Sequence, residues 1–200
     1  MEEVLSFIPP AARSGVQELL IANSVEFKLT KVRRTKHGDF RWRPGETALI
    51  TLNKTTNPYR FLITLLHELA HFQVSTNFSY RVKPHGKEWK KAYRALAIPF
   101  LNANIFPEPL CRLFAVHLKN PKASTDRDFA LVSALKQYDP PTSTRAIFEL
   151  AEGEKFLIED GRTFIKIKKR RIRYECQEVR TGKCYLFSPQ AEVYPLIATD

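Results

Sequence analysis

The sequence predicts an α+β fold followed by a small β-rich domain, and three patterns carry that reading. Apolar residues recur with the helical period over residues 58–76. They alternate with polar residues over 25–32, the period of a half-buried strand, and Ala48–Asn53 reads as a second strand. Beyond residue 140 the pattern shifts to short apolar runs separated by turn dipeptides. The expected division is therefore residues 1–140 and residues 141–200.

The elements follow in order. Pro9 and Pro10 suit the start of a first helix, and Val16, Leu19, Leu20 and Asn23 mark its face and its end. Val25 to Val32 alternates as a strand. His37-Gly38-Asp39 and Pro44-Gly45 read as turns, and Ala48 to Asn53 as a second strand, a candidate edge for an extended peptide. Asn57 is an N-cap residue and Pro58 fits the first helical position, so a long helix runs from there to about Thr76. Phe61, Leu62, Leu65, Leu66, Leu69 and Phe72 give it a broad apolar face. A loop over 77–84 leads to a helix from Gly86 to Ala97. Two more helices are expected at Pro107–Leu118 and Thr125–Tyr138, then a linker at 140–144. Phe148–Leu150, Thr163–Lys168, Ile172–Val179 and Cys184–Phe187 are strand candidates, with hairpin turns at Asp160-Gly161 and Thr181-Gly182.

Composition narrows the class. A hydrophobic content of 44% over 200 residues can fill a core. No run of 18 apolar residues exists, so no membrane partner is expected. The N-terminus opens with acids and does not read as a secretory signal. Cys111, Cys176 and Cys184 are too few and odd in number for a disulfide scaffold, which points to a reducing cytoplasm. The net charge is +11, and residues 1–140 hold 21 Lys and Arg against 12 Asp and Glu, so most of the excess lies there. A basic excess of this size points to an anionic partner, DNA foremost.

The long helix contains His67-Glu68-Leu69-Ala70-His71. Histidines at i and i+4 share one helix face, where two imidazoles can grip one zinc ion, and the intervening glutamate can serve as general base toward the water that the ion activates. Glu68 sits among apolar neighbours, where an unsatisfied carboxylate is costly; a metal site satisfies it. Catalytic zinc takes a third protein ligand. His85, in Pro84-His85-Gly86-Lys87-Glu88-Trp89, directly precedes the next helix, and Gly86 leaves room for a tight backbone there. The expected ligands are His67, His71 and His85, binding one Zn2+ per chain, with Glu68 as catalytic base. His37 and His117 read as ordinary surface or core histidines. Tyr59, Tyr80, Arg81 and Tyr93 are candidates for oxyanion stabilisation by proximity in sequence alone.

Three basic clusters are candidate nucleic-acid contacts. The first holds Lys31, Arg33, Arg34, Lys36, Arg41 and Arg43; Phe40 and Trp42 among them could stack on exposed bases or equally anchor the hairpin. The second, Arg81, Lys83, Lys87, Lys90, Lys91 and Arg94, flanks His85; the third is Lys166, Lys168, Lys169, Arg170, Arg171 and Arg173. For each the plainer reading is a solvated charged face.

Thr64 to His71 followed by Pro84 to Trp89 resembles the SprT-like metallopeptidase family, which includes Spartan-related members; the strand ending in Asn53 and the upstream Gly38 add to the likeness. The likeness covers about residues 10–100. It implies a gluzincin-like zinc peptidase acting on a protein substrate, with the same ligands and base. Spartan-type relatives cut proteins bound or crosslinked to DNA, which adds DNA repair to the expected roles. Many members carry a C-terminal zinc ribbon with paired C-x-x-C knuckles. Here Cys176 and Cys184 stand alone, and two thiolates cannot build a four-ligand site. The tail is expected to be a ribbon-like β domain without metal, held by Phe148, Phe156, Phe164, Tyr174, Tyr185 and Phe187. The alternative is a nucleic-acid-binding or regulatory protein with a structural or vestigial zinc site.

Overall fold

Asn57 starts the helix that carries the histidine pair, because its side chain accepts a hydrogen bond from the Arg60 amide at 3.0 Å. Pro58 occupies the first turn, and the helix runs over Pro58–Asn77. The computed structural model describes residues 2–33, 36–43, 45–78, 82–141 and 143–196. The chain divides into two compact units, Met1–Pro140 and Pro141–Asp200.

In the first unit a short helix α1 (Glu2–Leu5) precedes α2 (Arg13–Ala22), which follows a 3-10 turn at Pro10–Ala12. Strand β1 (Val25–Thr30) pairs parallel with β3 (Ala48–Asn53), and β2 (Gly38–Arg41) pairs antiparallel with the other side of β3. The sheet order β1-β3-β2 corrects two expectations. The segment after His37 is a strand rather than a turn. Since β3 is paired on both sides, the edges are β1 and β2, and a substrate strand cannot add to β3. The long helix, α3, then packs over the sheet. Phe61, Leu62, Leu65, Leu66 and Leu69 of α3 are buried with Ile50 and Leu52 of β3 in one core. Each such side chain contributes about 1.5–3 kcal/mol relative to exposure. The scaffold presenting the histidines therefore stands on apolar burial.

α4 (Lys87–Ala97) buries Trp89, Tyr93, Leu96 and Ala97. α5 (Leu110–Lys119) starts three residues later than expected, and the last expected helix is a 3-10 turn at Thr125–Arg127 followed by α6 (Phe129–Lys136). Asn57 ties the start of α3 to this region: its Nδ2 donates to the Leu135 carbonyl and to Asp139 Oδ1, both at 2.7 Å. Arg60 adds an ion pair to Asp139 at 3.0 Å.

The second unit is a six-stranded antiparallel sheet in the order β4-β9-β5-β6-β7-β8. Its strands are β4 (Arg145–Ala146), β5 (Lys155–Leu157), β6 (Thr163–Lys169), β7 (Tyr174–Glu178), β8 (Cys184–Phe187) and β9 (Glu192–Pro195). The expected strand at Phe148–Leu150 is replaced by a 3-10 turn at Ile147–Glu149, and β5 and β9 were not expected. Phe156, Phe164, Cys176 and Val193 are central to the core, with Tyr174 and Phe187 packed against it. Cys184 pairs with Gln177 and Cys176 with Tyr185, so the two cysteines lie on opposite faces of the sheet. Among the described residues no helix is long and apolar enough to cross a membrane.

Candidate metal centre

The i, i+4 spacing on α3 brings His67 and His71 together, and the α3–α4 connection delivers His85. The three Nε2 atoms converge: 3.3 Å between His67 and His71, 3.0 Å between His71 and His85, 3.2 Å between His67 and His85. Tetrahedral zinc with Zn–N bonds of 2.0–2.1 Å holds its nitrogens about 3.3–3.4 Å apart. The spacing fits such an ion to within a few tenths of an ångström, and these histidines can hold a metal. His85 adopts a left-handed backbone with φ of 55°, uncommon outside glycine and retained where surrounding structure enforces it. The Gly86 amide donates to the Lys83 carbonyl at 2.9 Å, and a Cβ on Gly86 would stand 2.8 Å from that oxygen. Glycine is thus required where the chain turns to present His85.

Protonation favours ligation. Burial holds His67 down to about 2 and His71 down to about 4, with mutual repulsion among the imidazoles adding to both. Burial lowers His85 as well. All three are neutral at pH 7, with lone pairs available. Glu68 is buried, and desolvation together with the Asp39 charge pushes its carboxyl up to about 8, against the pull of Arg33 and Lys36. A dication held by the three histidines would supply the opposing charge that favours the carboxylate.

Sequence reasoning missed the walls of this site. Trp89 is buried against all three imidazole rings, with centroids 4.6 Å from His67, 5.4 Å from His71 and 4.6 Å from His85. Phe40 on β2 stacks on His71 at 6.4 Å and meets Phe72 edge-on. Gly38 at the start of β2 lies directly against Glu68 and Thr64. The alternation Gly38-Asp39-Phe40-Arg41 was the available signal for the strand that does this.

Other expectations change. Tyr93 is completely buried behind Trp89 and cannot touch a substrate. Tyr59 packs on Tyr138 and Phe106 two helical turns before His67. Neither is an oxyanion donor, and Tyr80 and Arg81 lie outside the described residues. Arg33 is not a free nucleic-acid contact. Its guanidinium donates to Asn53 Oδ1 at 2.7 Å, Thr51 Oγ1 at 2.9 Å and the Thr51 carbonyl at 3.3 Å. The Asn53 amide returns a bond to the Lys36 carbonyl at 2.8 Å, so this cluster fastens the segment leading into β2. Arg34 lies outside the described residues.

Arg41 pairs with Asp39 at 2.8 Å, and Arg43 and Trp42 are exposed. Lys87 and Lys91 are exposed, while Lys90 donates to Asn120 at 2.6 Å. In the second unit Lys168, Lys169, Arg170 and Arg171 are exposed around the β6–β7 turn, with Arg170 paired to Glu175 at 2.8 Å. Lys166 leaves this cluster: it is buried, donates to the Leu150 carbonyl and sits 4.2 Å from the Tyr174 ring centroid. His37 bonds Asp126 and His117 bonds Asp128, as ordinary structural histidines do.

Residues 14–105 match the model of the SprT-like family. No curated protein and no solved structure gives a significant match.

Proposed function

With residues 14–105 belonging to the SprT-like family, we propose that this protein is a zinc-dependent peptidase with Glu68 as its catalytic base. The convergence of three neutral imidazoles within 3.3 Å of one another is the observation that carries the reading. His67, His71 and His85 hold the ion; when bound, zinc polarises a peptide carbonyl and makes water more acidic. Glu68 takes a proton from the attacking water and returns it to the leaving amine. Burial of that carboxylate strengthens its interaction with the charge it faces. An extended substrate pairs along the edge of β2 that has no strand partner among the described residues, with Phe40 closing the wall beside His71. The intact glutamate favours this over a structural or vestigial zinc site, which needs no base.

The substrate we propose is a protein held on DNA. The net charge of +11 and the exposure of Arg43, Lys87, Lys91 and Lys168–Arg171 support an electrostatic hold on phosphates.

Metal analysis tests the centre itself. About one zinc per chain is expected in the wild type and none in His85→Ala at matched folding. Zinc retained by His85→Ala, or its absence from the wild type, would overturn the assignment.

A further inference from the structure

Behind the ligand rings a continuous stack of buried side chains runs out of the family-matched region. Trp89, against the three ligands, donates from Nε1 to the His67 carbonyl at 3.4 Å. Tyr93, one turn further along α4, stacks on Trp89 at 5.0 Å and meets the His67 ring edge-on at 5.6 Å. His117 of α5 meets the Tyr93 ring edge-on at 6.4 Å. Its Nδ1 lies 2.9 Å from Asp128 Oδ2, and Asp128 Oδ1 accepts the Leu131 amide at 3.4 Å, capping α6. Trp89, Tyr93 and His117 are all buried. The family match ends at residue 105, so α5 and α6 bring this support from outside it.

Two features mark the stack as more than filler. The Tyr93 hydroxyl has no hydrogen-bond partner among the described residues, so ring packing alone holds Tyr93. The wall it leans on is His117, a buried polar ring whose partner Asp128 is partly exposed at the start of α6, and an apolar residue of similar size would cost less to bury at position 117. What the pair adds is a fixed ring: a carboxylate accepting from Nδ1 sets the tautomer and plane of His117. Ligand groups must be held within about 0.5 Å of their working geometry by neighbours that are themselves locked.

We propose that Asp128, His117 and Tyr93 are positioning residues for the metal centre, by which α5 and α6 fix the ring plane of His67 through the α4 aromatics. The proposal rests on the metal reading above. It is tested with cobalt as the probe, measuring affinity by chelator competition and the visible spectrum of the bound ion, with circular dichroism as the control for folding. Tyr93→Phe keeps the ring and is expected to match the wild type. Tyr93→Leu and His117→Leu remove rings and are expected to weaken cobalt binding about tenfold and shift its spectrum. Asp128→Asn preserves shape and guards against misfolding of the leucine variants. Its amide places a donor opposite His117 Nδ1, and it is expected to lower affinity in the same direction. Wild-type affinity and spectrum in folded His117→Leu or in Asp128→Asn would overturn the proposal, as would equal damage from Tyr93→Phe and Tyr93→Leu. A wild type that binds no cobalt would overturn the metal reading itself, a result distinct from these.

Discussion

Replacing Gly38 with alanine tests how closely β2 governs the Glu68 carboxylate, the proposed catalytic base. A Cβ at that position would stand 2.7 Å from Glu68 Oε1, 2.7 Å from Thr64 Cγ2 and 2.8 Å from Glu68 Cγ. Carbon contacts settle at about 3.5–4.0 Å, so something must retreat by about 0.7–1.3 Å. β2 is held by its pairing with β3, Gly38 opposite Leu52, and Thr64 is tied to the Arg60 carbonyl at 2.8 Å. The Glu68 side chain is the part free to give. Displacing a reacting group by about 1 Å costs about 100-fold in rate, or about 2.7 kcal/mol. The assay is kcat/KM for an unfolded protein substrate, with metal content and circular dichroism measured on the same samples. Gly38→Ala is expected to keep its metal, because the atoms nearest the added Cβ belong to Glu68 and Thr64 and not to a histidine, and to lose about 100-fold in kcat/KM. Adding it to Glu68→Gln should cost nothing further. Cleavage within about threefold of wild type would refute the reasoning, since it would mean that the carboxylate keeps its place against a methyl group.

Three further outcomes follow. Glu68 is raised in the fold to about 8 from 4.5. Its contribution to the metal-free fold is therefore complete below about pH 4.5 and is lost as pH rises through 8. Metal-free Glu68→Gln should gain on wild type by about 3 kcal/mol between pH 5 and pH 8 in urea unfolding, and a pH-independent difference would contradict this. Arg33→Ala removes three hydrogen bonds around Thr51 and Asn53 and should cost about 2–3 kcal/mol, whereas the exposed Lys87→Ala should stay within about 0.5 kcal/mol, both read from thermal or urea unfolding. If DNA is a partner, affinity falls steeply between low and physiological salt, and replacing Lys168, Lys169, Arg170 and Arg171 with alanine flattens that slope; weak, salt-independent binding would contradict it.

Much of the first unit was legible because its signals are local. Asn57 and Pro58 define the start of α3, the 3.6 period defines its buried face, and i, i+4 spacing brings His67 and His71 together. His85 was legible from its place before a helix. β2 was not: four residues with a glycine and an aspartate read as a turn, and only pairing with Ala48–Asn53, distant in sequence, makes them a strand. Arg33 shows the same limit for charge, since a basic residue in a basic run gives no hint that Thr51 and Asn53 will engage it. In the second unit β5 and β9 are three and four residues long, held by partners on both sides rather than by any strong pattern of their own.

The most direct measurement compares wild type with Glu68→Gln for cleavage of a protein substrate at equal zinc content. Glu68→Gln should bind zinc as the wild type does and cleave at no detectable rate. Undiminished cleavage by Glu68→Gln, or none by the zinc-loaded wild type, would contradict a peptidase built on Glu68 and the three histidines.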